Sequence, residues 1–225
     1  SARITNLSWT INAGAVGAQF DIANISLIND FTAVGYGIEA LQEGDVVSLQ
    51  EGEAELHGTR AVLGAGTGLG EGVLVWQGGR YVALPSEGGH VDFAPADEAQ
   101  DGLLRYLRPI FGHVSYERIL SGAGLVKILE YLTETGLESV MPPLRQGMLE
   151  NDPAAAISEF GLEGRDPAAV RALDMFVDIY GAQAGNLALT ALAKGGVYVA
   201  GGIAPKIIAK IQSGGFMRAF NDKGR

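Results

Sequence analysis

The sequence contains no cysteine, and this absence limits the chemistry that the chain can perform. It excludes disulfide bonds, zinc sites built from thiolates and reactions that use a thiol nucleophile. Nitrogen ligands are also few, because the 225 residues include three histidines, His57, His90 and His113. A chain without disulfides is typical of the cytoplasm, where we expect this protein to act.

Basic residues and long apolar runs are also scarce. Sixteen Lys and Arg stand against 26 Asp and Glu, which gives a formal net charge of -10. This charge repels a phosphate backbone, so we expect no nucleic-acid partner. A small anionic ligand remains compatible with it, because backbone amides and bound cations neutralise phosphate locally. No apolar run approaches the roughly 20 residues that a membrane-spanning helix needs, so we expect no membrane partner.

Apolar residues make up 47% of the chain, which can supply a sizeable buried core. Strand-like and helix-like patterns alternate, which predicts an α/β fold. The apolar run at residues 25–28 predicts a buried strand that ends at Asn29 and Asp30, and the spacing of residues 31–41 predicts a helix. The acidic stretch at residues 44–58 predicts a loop or hinge near a domain boundary.

Glycine clusters divide the middle of the chain into strands. Residues 60–63 and 72–76 are predicted strands on either side of the glycine-rich residues 64–70. Gln77-Gly78-Gly79-Arg80 predicts a hairpin turn that leads into a returning strand at residues 81–84.

Helices dominate the sequence from Asp97 onward. Asp166 followed by Pro167 is a typical helix N-cap and first position, and predicts a long helix that continues toward Leu192. Residues 196–200 predict another buried strand, and Pro205 then opens a further helix.

Two segments could bind ligands through their position or backbone. Asn29 and Asp30 follow a predicted strand, where ligands of open α/β sheets gather, although an isolated Asp30 could simply cap the next helix. Residues 64–70 could bring backbone amides and the Thr67 hydroxyl to phosphate oxygens. They do not match the P-loop pattern, and an ordinary hairpin explains their spacing equally well.

Two further segments carry candidate polar ligands. In Glu87-Gly88-Gly89-His90 the glycines allow a tight fold that aims a carboxylate and an imidazole at one small polyol. A metal is the alternative, but no second His stands at metal-site spacing. Glu117 precedes a predicted bend, and alone it would be read as a solvated helix residue. By the same reasoning, His113 is a hydrogen-bonded packing residue and His57 lies in the polar loop.

Three segments in this order together resemble the bacterial glucokinase family. They are LINDFTAV at residues 27–34, GAGTGLG at residues 64–70 and EGGHVDF at residues 87–93. The similarity continues at residues 112–115, 117–118, 120–122, 185–189, 200–203 and 222–225, and so covers most of the chain.

The resemblance implies a hexokinase- and actin-like (ribonuclease H-like) ATPase fold, in which a smaller and a larger α/β domain close over glucose and ATP. It implies an incomplete smaller domain at residues 1–42 and most of the larger domain at residues 43–225. It also implies ATP and Mg²⁺ as cofactors, and a homodimer.

The resemblance further implies residue roles in phosphorylating glucose to glucose 6-phosphate. Asp30 would be the catalytic base facing the sugar 6-hydroxyl. The residues implied to bind the remaining hydroxyls are Asn29, Glu87, His90 and Glu117. The second phosphate motif of the family corresponds to Gly66, Thr67 and Gly68, and the adenosine motif includes Gly201 and Gly202. No residue is predicted as a protein ligand of the metal.

The sequence departs from the family pattern in two features, of which the first concerns phosphate binding. The glycine-rich Asp-x-Gly-Gly-Thr segment with which the family begins does not occur, and the family usually continues beyond the position of Arg225. We therefore expect a chain that is incomplete at both ends and turns over little by itself. The alternatives are a non-catalytic sugar-binding or regulatory remnant, and a kinase of the repressor, open-reading-frame and kinase (ROK) type. The missing cysteines argue against the ROK type, whose pattern includes a cysteine-rich zinc motif.

Overall fold

The computed structural model of the chain describes residues 2–3 and 9–224. Its strands are β1 (Ala2–Arg3), β2 (Thr10–Ile11), β3 (Arg60–Ala65), β4 (Leu69–Gln77), β5 (Arg80–Leu84) and β6 (Val197–Ala200). Its α-helices are α1 (Ala13–Phe20), α2 (Asp30–Gly37), α3 (Glu98–Phe111), α4 (Gly122–Glu134), α5 (Pro142–Glu150), α6 (Pro153–Leu162), α7 (Pro167–Ala191), α8 (Ile208–Gln212) and α9 (Gly215–Asn221). Among the helices described, none combines the length and apolarity needed to cross a bilayer.

A mixed four-stranded sheet forms the centre of the fold, in the order β5-β4-β3-β6. Strands β3, β4 and β5 are antiparallel neighbours, whereas β6 pairs with β3 in parallel. Gly78 and Gly79 both have positive φ, at 60° and 81°, which is the backbone that a two-residue hairpin turn requires. The α/β class, the hairpin and the predicted strands at residues 60–63, 72–76, 81–84 and 196–200 are confirmed.

The two faces of the sheet pack against different helices. Because side chains alternate along a strand, Leu63 points into the large core that α7 covers, while Val62 points into a smaller cluster beside α2. The smaller cluster also contains Leu74 and Tyr81, with Phe31 of α2 packed against it. The sheet is therefore a middle layer between α2 on one side and the α7 bundle on the other.

The predicted strand at residues 25–28 is wrong. Residues 24–29 have no regular secondary structure, and Leu27 and Ile28 are exposed. A strand needs a neighbour for its backbone groups, and in the described part of the chain neither sheet includes this segment. The following helix is confirmed as α2, which continues into a 3₁₀ turn at Ile38–Ala40.

The acidic stretch at residues 44–58 is irregular, as predicted. Apart from the short 3₁₀ turn Glu43–Asp45, residues 41–59 contain no helix or strand. His57 ends this segment with a positive φ of 61°, and its ring stacks on Trp76 of β4 at 3.7 Å between centroids. A domain boundary between residues 42 and 43 stays a prediction.

Helices dominate the remainder, as the sequence predicts, and α7 spans 25 residues beneath the sheet. Strand β6 is half-buried rather than buried, because it lies at the edge of the sheet. Pro205 lies in a 3₁₀ turn, Ala204–Ile207, which leads directly into α8.

Asp166 fixes the start of α7. Its side chain is fully buried, and its two carboxylate oxygens accept hydrogen bonds from two backbone amides. Oδ1 accepts from the Ala169 amide at 3.0 Å, and Oδ2 accepts from the Met141 amide at 2.8 Å. One residue therefore caps α7 and anchors the chain that enters α5.

Replacing Asp166 by alanine tests this double role. The change leaves one buried and one half-buried amide without acceptors, so we expect the free energy of unfolding to fall by about 2–4 kcal/mol. Asp152 is the matched control, because it is an exposed N-cap with a bond to the Ala155 amide alone. We expect Asp152→Ala to cost about 1 kcal/mol in urea denaturation. Equal losses for the two variants would contradict the double anchor.

Glu71 is a carboxylate buried on the α7 face of β4. Its Oε1 accepts a hydrogen bond from Gln183 Nε2 of α7 at 2.8 Å. Burial raises the pKa of Glu71 above its ordinary value, and the bond from Gln183 opposes this shift to a smaller extent.

The raised pKa makes stability depend on pH. The unfolded chain releases the Glu71 proton near the ordinary pKa of 4.5, while the folded chain retains it to a higher pH. The free energy of unfolding therefore falls as pH rises from the ordinary pKa through the raised one. Glu71→Gln removes this contribution, so we expect the variant to gain stability relative to the wild type across that window. Urea denaturation in a pH series measures the difference, which should not be the same at every pH.

Candidate functional site

Glu87, His90 and Glu117 come together beyond one end of the central sheet. His90 lies between the two carboxylates, with Nε2 3.9 Å from Glu87 Oε2 and Nδ1 3.7 Å from Glu117 Oε1. These separations exceed a direct hydrogen bond, so the polar atoms stay available to a ligand. These three of the predicted sugar-binding side chains thus form one cluster of acceptors and an imidazole, in which Glu87 and His90 are exposed and Glu117 is half-buried.

The turn at residues 87–90, here called the EGGH turn, folds tightly as predicted. Gly88–His90 form a 3₁₀ turn in which the His90 amide donates to the Glu87 carbonyl at 3.0 Å. The Gly88 amide donates to Ser86 Oγ at 3.0 Å. This local folding places Glu87 and His90 on the same side of the turn.

Backbone hydrogen bonds bring Glu117 to the EGGH turn from a distant part of the sequence. The Tyr116 amide donates to the Val91 carbonyl at 3.1 Å, and the Phe93 amide donates to the Val114 carbonyl at 3.0 Å. Glu117 itself lies in the 3₁₀ turn Tyr116–Arg118. The two segments therefore hold His90 and Glu117 at a fixed separation.

Glu117 also contacts the turn between β3 and β4, residues 66–68, here called the GTG turn. Its Oε2 accepts a hydrogen bond from the Leu69 amide at 3.1 Å, and its side chain is 31% exposed. The interpretation of an isolated Glu117 as a solvated helix residue does not describe this position, because a backbone amide of the hairpin binds its carboxylate. This bond joins the predicted sugar cluster to the predicted phosphate segment.

His113 supports the same cluster. Its Nε2 lies 3.1 Å from the carbonyl oxygen of His90, and its Nδ1 lies 3.2 Å from Asp92 Oδ1. The expected hydrogen-bonded role of His113 is confirmed, although its ring is largely exposed rather than packed. It contacts the backbone of a predicted ligand-binding residue, a link that the sequence pattern did not indicate.

Asn29 and Asp30 lie at the start of α2. Asn29 is the N-cap, and its Oδ1 accepts from the amides of Phe31 at 2.7 Å and Thr32 at 3.2 Å. Asp30 Oδ1 accepts from the Phe31 amide at 2.8 Å. The alternative that this segment caps the next helix is therefore correct, but the N-cap is Asn29 rather than Asp30. Among the described residues, no hydrogen bond uses Asn29 Nδ2 or Asp30 Oδ2, so a donor and an acceptor remain for a ligand.

The packing of Phe31 sets the position of this pair. Its ring lies against the α-carbon of Gly70, where a Cβ would overlap the ring. Gly70 of β4 pairs with Gly64 of β3 next to the GTG turn. The start of α2 therefore packs against the same hairpin that binds Glu117. Within the described residues, however, no hydrogen bond or ion pair joins Asn29 or Asp30 to the other three predicted sugar-binding residues.

The GTG turn is a hairpin, so both interpretations of its sequence describe the same structure. The Gly66 amide donates to the Gly68 carbonyl at 2.8 Å, and the Gly66 carbonyl accepts from the Gly122 amide at 3.0 Å. In the part of the chain that is described, the amides of Thr67 and Gly68 make no backbone hydrogen bond. The tip of the hairpin therefore offers two amides and one hydroxyl.

Gly201 and Gly202 lie beside this hairpin at the end of β6. Gly201 has a φ of 83° and is packed against the Ala65 carbonyl, whose oxygen accepts from the Ile203 amide at 3.2 Å. Tyr180 of α7 joins the two strands, because its hydroxyl accepts from the Ala65 amide at 3.0 Å and donates to the Ala200 carbonyl at 3.3 Å. The predicted phosphate and adenosine segments are thus adjacent.

The described residues contain no group of three or more His, Asp or Glu side chains arranged to hold a metal ion. Magnesium often keeps its waters and takes one or two carboxylates together with substrate phosphates, so it needs no such group.

Solved structures place this fold in a class. A glucokinase from an Antarctic psychrotroph matches with a TM-score of 0.84 and 30% identity, over 98% of this chain and 66% of that one. The ROK family glucokinase from Streptomyces griseus, solved with glucose and AMPPNP, matches with a TM-score of 0.60 and 19% identity over 95% of this chain and 64% of that one. The fold is that of the sugar kinases with an actin-like ATPase architecture, which confirms the predicted fold class.

Sequence comparison specifies the family within that class. The family model described as Glucokinase matches residues 1–225. The glucokinase of Nostoc sp. is 44% identical over 238 aligned residues, which cover 100% of this chain and 70% of that protein. The chain belongs to the glucokinase family. The predicted family is confirmed, in preference to the alternative of a ROK-type kinase.

Alanine at Gly68 tests the contact between the GTG turn and Glu117. A Cβ on Gly68 would overlap the Glu117 carboxylate, whereas a Cβ on Gly66 meets no atom within 4 Å. We expect Gly68→Ala to lower the free energy of unfolding by about 1–3 kcal/mol. Gly66→Ala, in the same turn, should change it by less than about 1 kcal/mol. Urea denaturation measures both, and Glu117→Ala should relieve the effect of Gly68→Ala. A loss that is the same with and without Glu117 would contradict the contact.

Proposed function

We propose that the protein carrying this chain phosphorylates glucose with ATP, giving glucose 6-phosphate. The observation that carries this proposal is the position of Glu117. Its carboxylate lies 3.7 Å from His90 Nδ1 on one side and, on the other, accepts a hydrogen bond from the Leu69 amide directly after the GTG turn. A sugar held by the EGGH turn would therefore lie beside a backbone loop suited to phosphate, which is the juxtaposition that phosphoryl transfer requires.

The sugar would be bound through its hydroxyl groups. Glu87 and Glu117 supply acceptors, His90 supplies a ring nitrogen, and Asn29 supplies its amide donor. Hydroxyls that bind several directed partners give selectivity, because a sugar of different configuration leaves a buried polar group unpaired. These contacts favour a single hexose configuration.

Asp30 would act as the catalytic base. It would accept the proton of the sugar 6-hydroxyl as that oxygen forms its bond to the γ-phosphorus of ATP, while the bond from phosphorus to the ADP oxygen breaks. Phosphoryl transfer depends mainly on alignment and charge stabilisation, so a carboxylate in the right place suffices. The packing of Phe31 against Gly70 supports this role, because it fixes the start of α2 against the hairpin.

ATP would bind along the hairpin. Thr67 and Gly68 offer amides to its phosphates, and Gly66 has no atom within 4 Å of its missing side chain, so a phosphate can approach the backbone. Gly202 has similar open space and, with Gly201, would face the adenosine. Mg²⁺ would neutralise phosphate charge there. A cytoplasmic location and a homodimer remain predictions.

Asp30→Asn tests the proposed reaction. The amide keeps the size and the bond to the Phe31 amide but does not accept the proton, so we expect kcat to fall about 10²–10⁴-fold. Coupled detection of ADP in the protein that carries this chain measures the rate. Asp101→Asn, on the exposed side of α3, is the control and should retain the wild-type rate. An unchanged rate for Asp30→Asn would rule out Asp30 as the base.

A non-catalytic sugar-binding module is the second candidate. It predicts that calorimetry detects glucose binding by the wild-type protein that carries this chain, while the same preparation releases no ADP from ATP. Glucose-dependent ADP release excludes it.

A further inference from the structure

Glu71 lies directly beneath the EGGH turn. Its Oε1 is tied to Gln183 Nε2 at 2.8 Å, and its other oxygen packs against the α-carbon of Gly88, where a Cβ would overlap it. The side chain is 4% exposed, and the strand that carries it is in the middle of the sheet. A buried carboxylate held at one oxygen has little freedom to move away from the turn.

The partner of Glu71 leads on to the other half of the sugar cluster. Gln183 Oε1 accepts a hydrogen bond from Asn186 Nδ2 at 3.2 Å. Asn186 Nδ2 also donates to the hydroxyl of Tyr116 at 3.1 Å, and Tyr116 directly precedes Glu117. One polar network, made of Glu71, Gln183, Asn186 and Tyr116, therefore contacts both segments that carry the predicted sugar ligands.

We propose that Glu71 is a positioning residue for sugar binding, which holds the EGGH turn and the Tyr116–Arg118 turn in register through this network. The proposal rests on the proposed function. An apolar side chain could fill the same space at a lower cost of desolvation, but it would not fix the orientation of the neighbouring groups. Hydrogen bonds are directional, so they fix the orientation of the groups that they join. Glu71 lies beneath the EGGH turn, and a shift of that turn would move Glu87 and His90 relative to Glu117.

A steric double-mutant cycle tests the contact. In the protein that carries this chain, Gly88→Ala places a methyl group on the pinned carboxylate and pushes the EGGH turn outward. We expect the KM for glucose to rise about tenfold or more, because small displacements of binding groups are costly, while the KM for ATP stays unchanged. Gly52→Ala is the control, because a Cβ there meets no atom within 4 Å.

Shortening Glu71 should remove most of the effect of the methyl group. In a Glu71→Ala background the severe overlap disappears and leaves a milder contact of the Gly88 Cβ with Ser86 Oγ, at 3.1 Å. We expect Gly88→Ala to change the KM for glucose by less than about twofold there, since the two changes share one contact. An equal effect in both backgrounds overturns the proposal. If Gly88→Ala alone does not fold, recovery of folding by Glu71→Ala supports the contact, and no recovery contradicts it.

Conservative and apolar variants separate positioning from packing. Glu71→Gln retains the shape and an acceptor for Gln183, so it should keep the wild-type KM for glucose. Glu71→Leu fills the space without the network, and should raise that KM while leaving the KM for ATP unchanged. A Glu71→Leu protein with the wild-type KM for glucose would show that packing alone is sufficient.

Hydrogen exchange gives a readout that does not need catalysis. We expect the amides of residues 88–93 and 115–119 to exchange faster in Glu71→Leu than in Glu71→Gln, measured on this chain without ligand. Absence of glucose phosphorylation by the wild-type protein that carries this chain would refute the proposed function, whereas equal exchange in the two variants would refute the positioning role.

Discussion

The hydrogen bond from the Leu69 amide to the Glu117 carboxylate joins the two halves of this structure. On one side lies the hairpin of the central sheet, with its GTG turn open to a ligand. On the other side lies the imidazole of His90, between the carboxylates of Glu87 and Glu117. A charged acceptor strengthens a backbone hydrogen bond, and partial burial strengthens it further. Since α2 packs against the same hairpin through Phe31, the positions of the predicted sugar-binding residues all depend on β4.

Local signals in the sequence were sufficient for elements that depend on neighbours in the chain. The Gly78-Gly79 pair specified the β4–β5 hairpin, and Asp166 with Pro167 specified the start of α7, because caps and turns are set by adjacent residues. The apolar residues 25–28 show where this reasoning stops. A strand exists only beside another strand, and no pattern within the segment reports whether a partner is present.

The candidate site was predictable in its membership but not in its connections. The EGGH turn could be recognised because two glycines next to polar residues form a local pattern. Glu117 alone resembled an ordinary surface residue, and only the fold reveals the Leu69 amide that binds it. Glu71 and Gln183 carried no signal at all, since they are 112 positions apart and meet because α7 crosses beneath β4.

The parallel pairing of β3 with β6 also governs how the molecule can assemble. These strands are joined by the whole helical region, so one edge of β3 stays open until residues 197–200 have left the ribosome. Pairings between such distant segments form slowly, and an open edge invites contact with other chains in the meantime. The GTG turn and Gly201 therefore become neighbours late in folding. Protection of this edge by a chaperone would matter more for the nucleotide side than for the EGGH turn, whose contacts lie within residues 69–118.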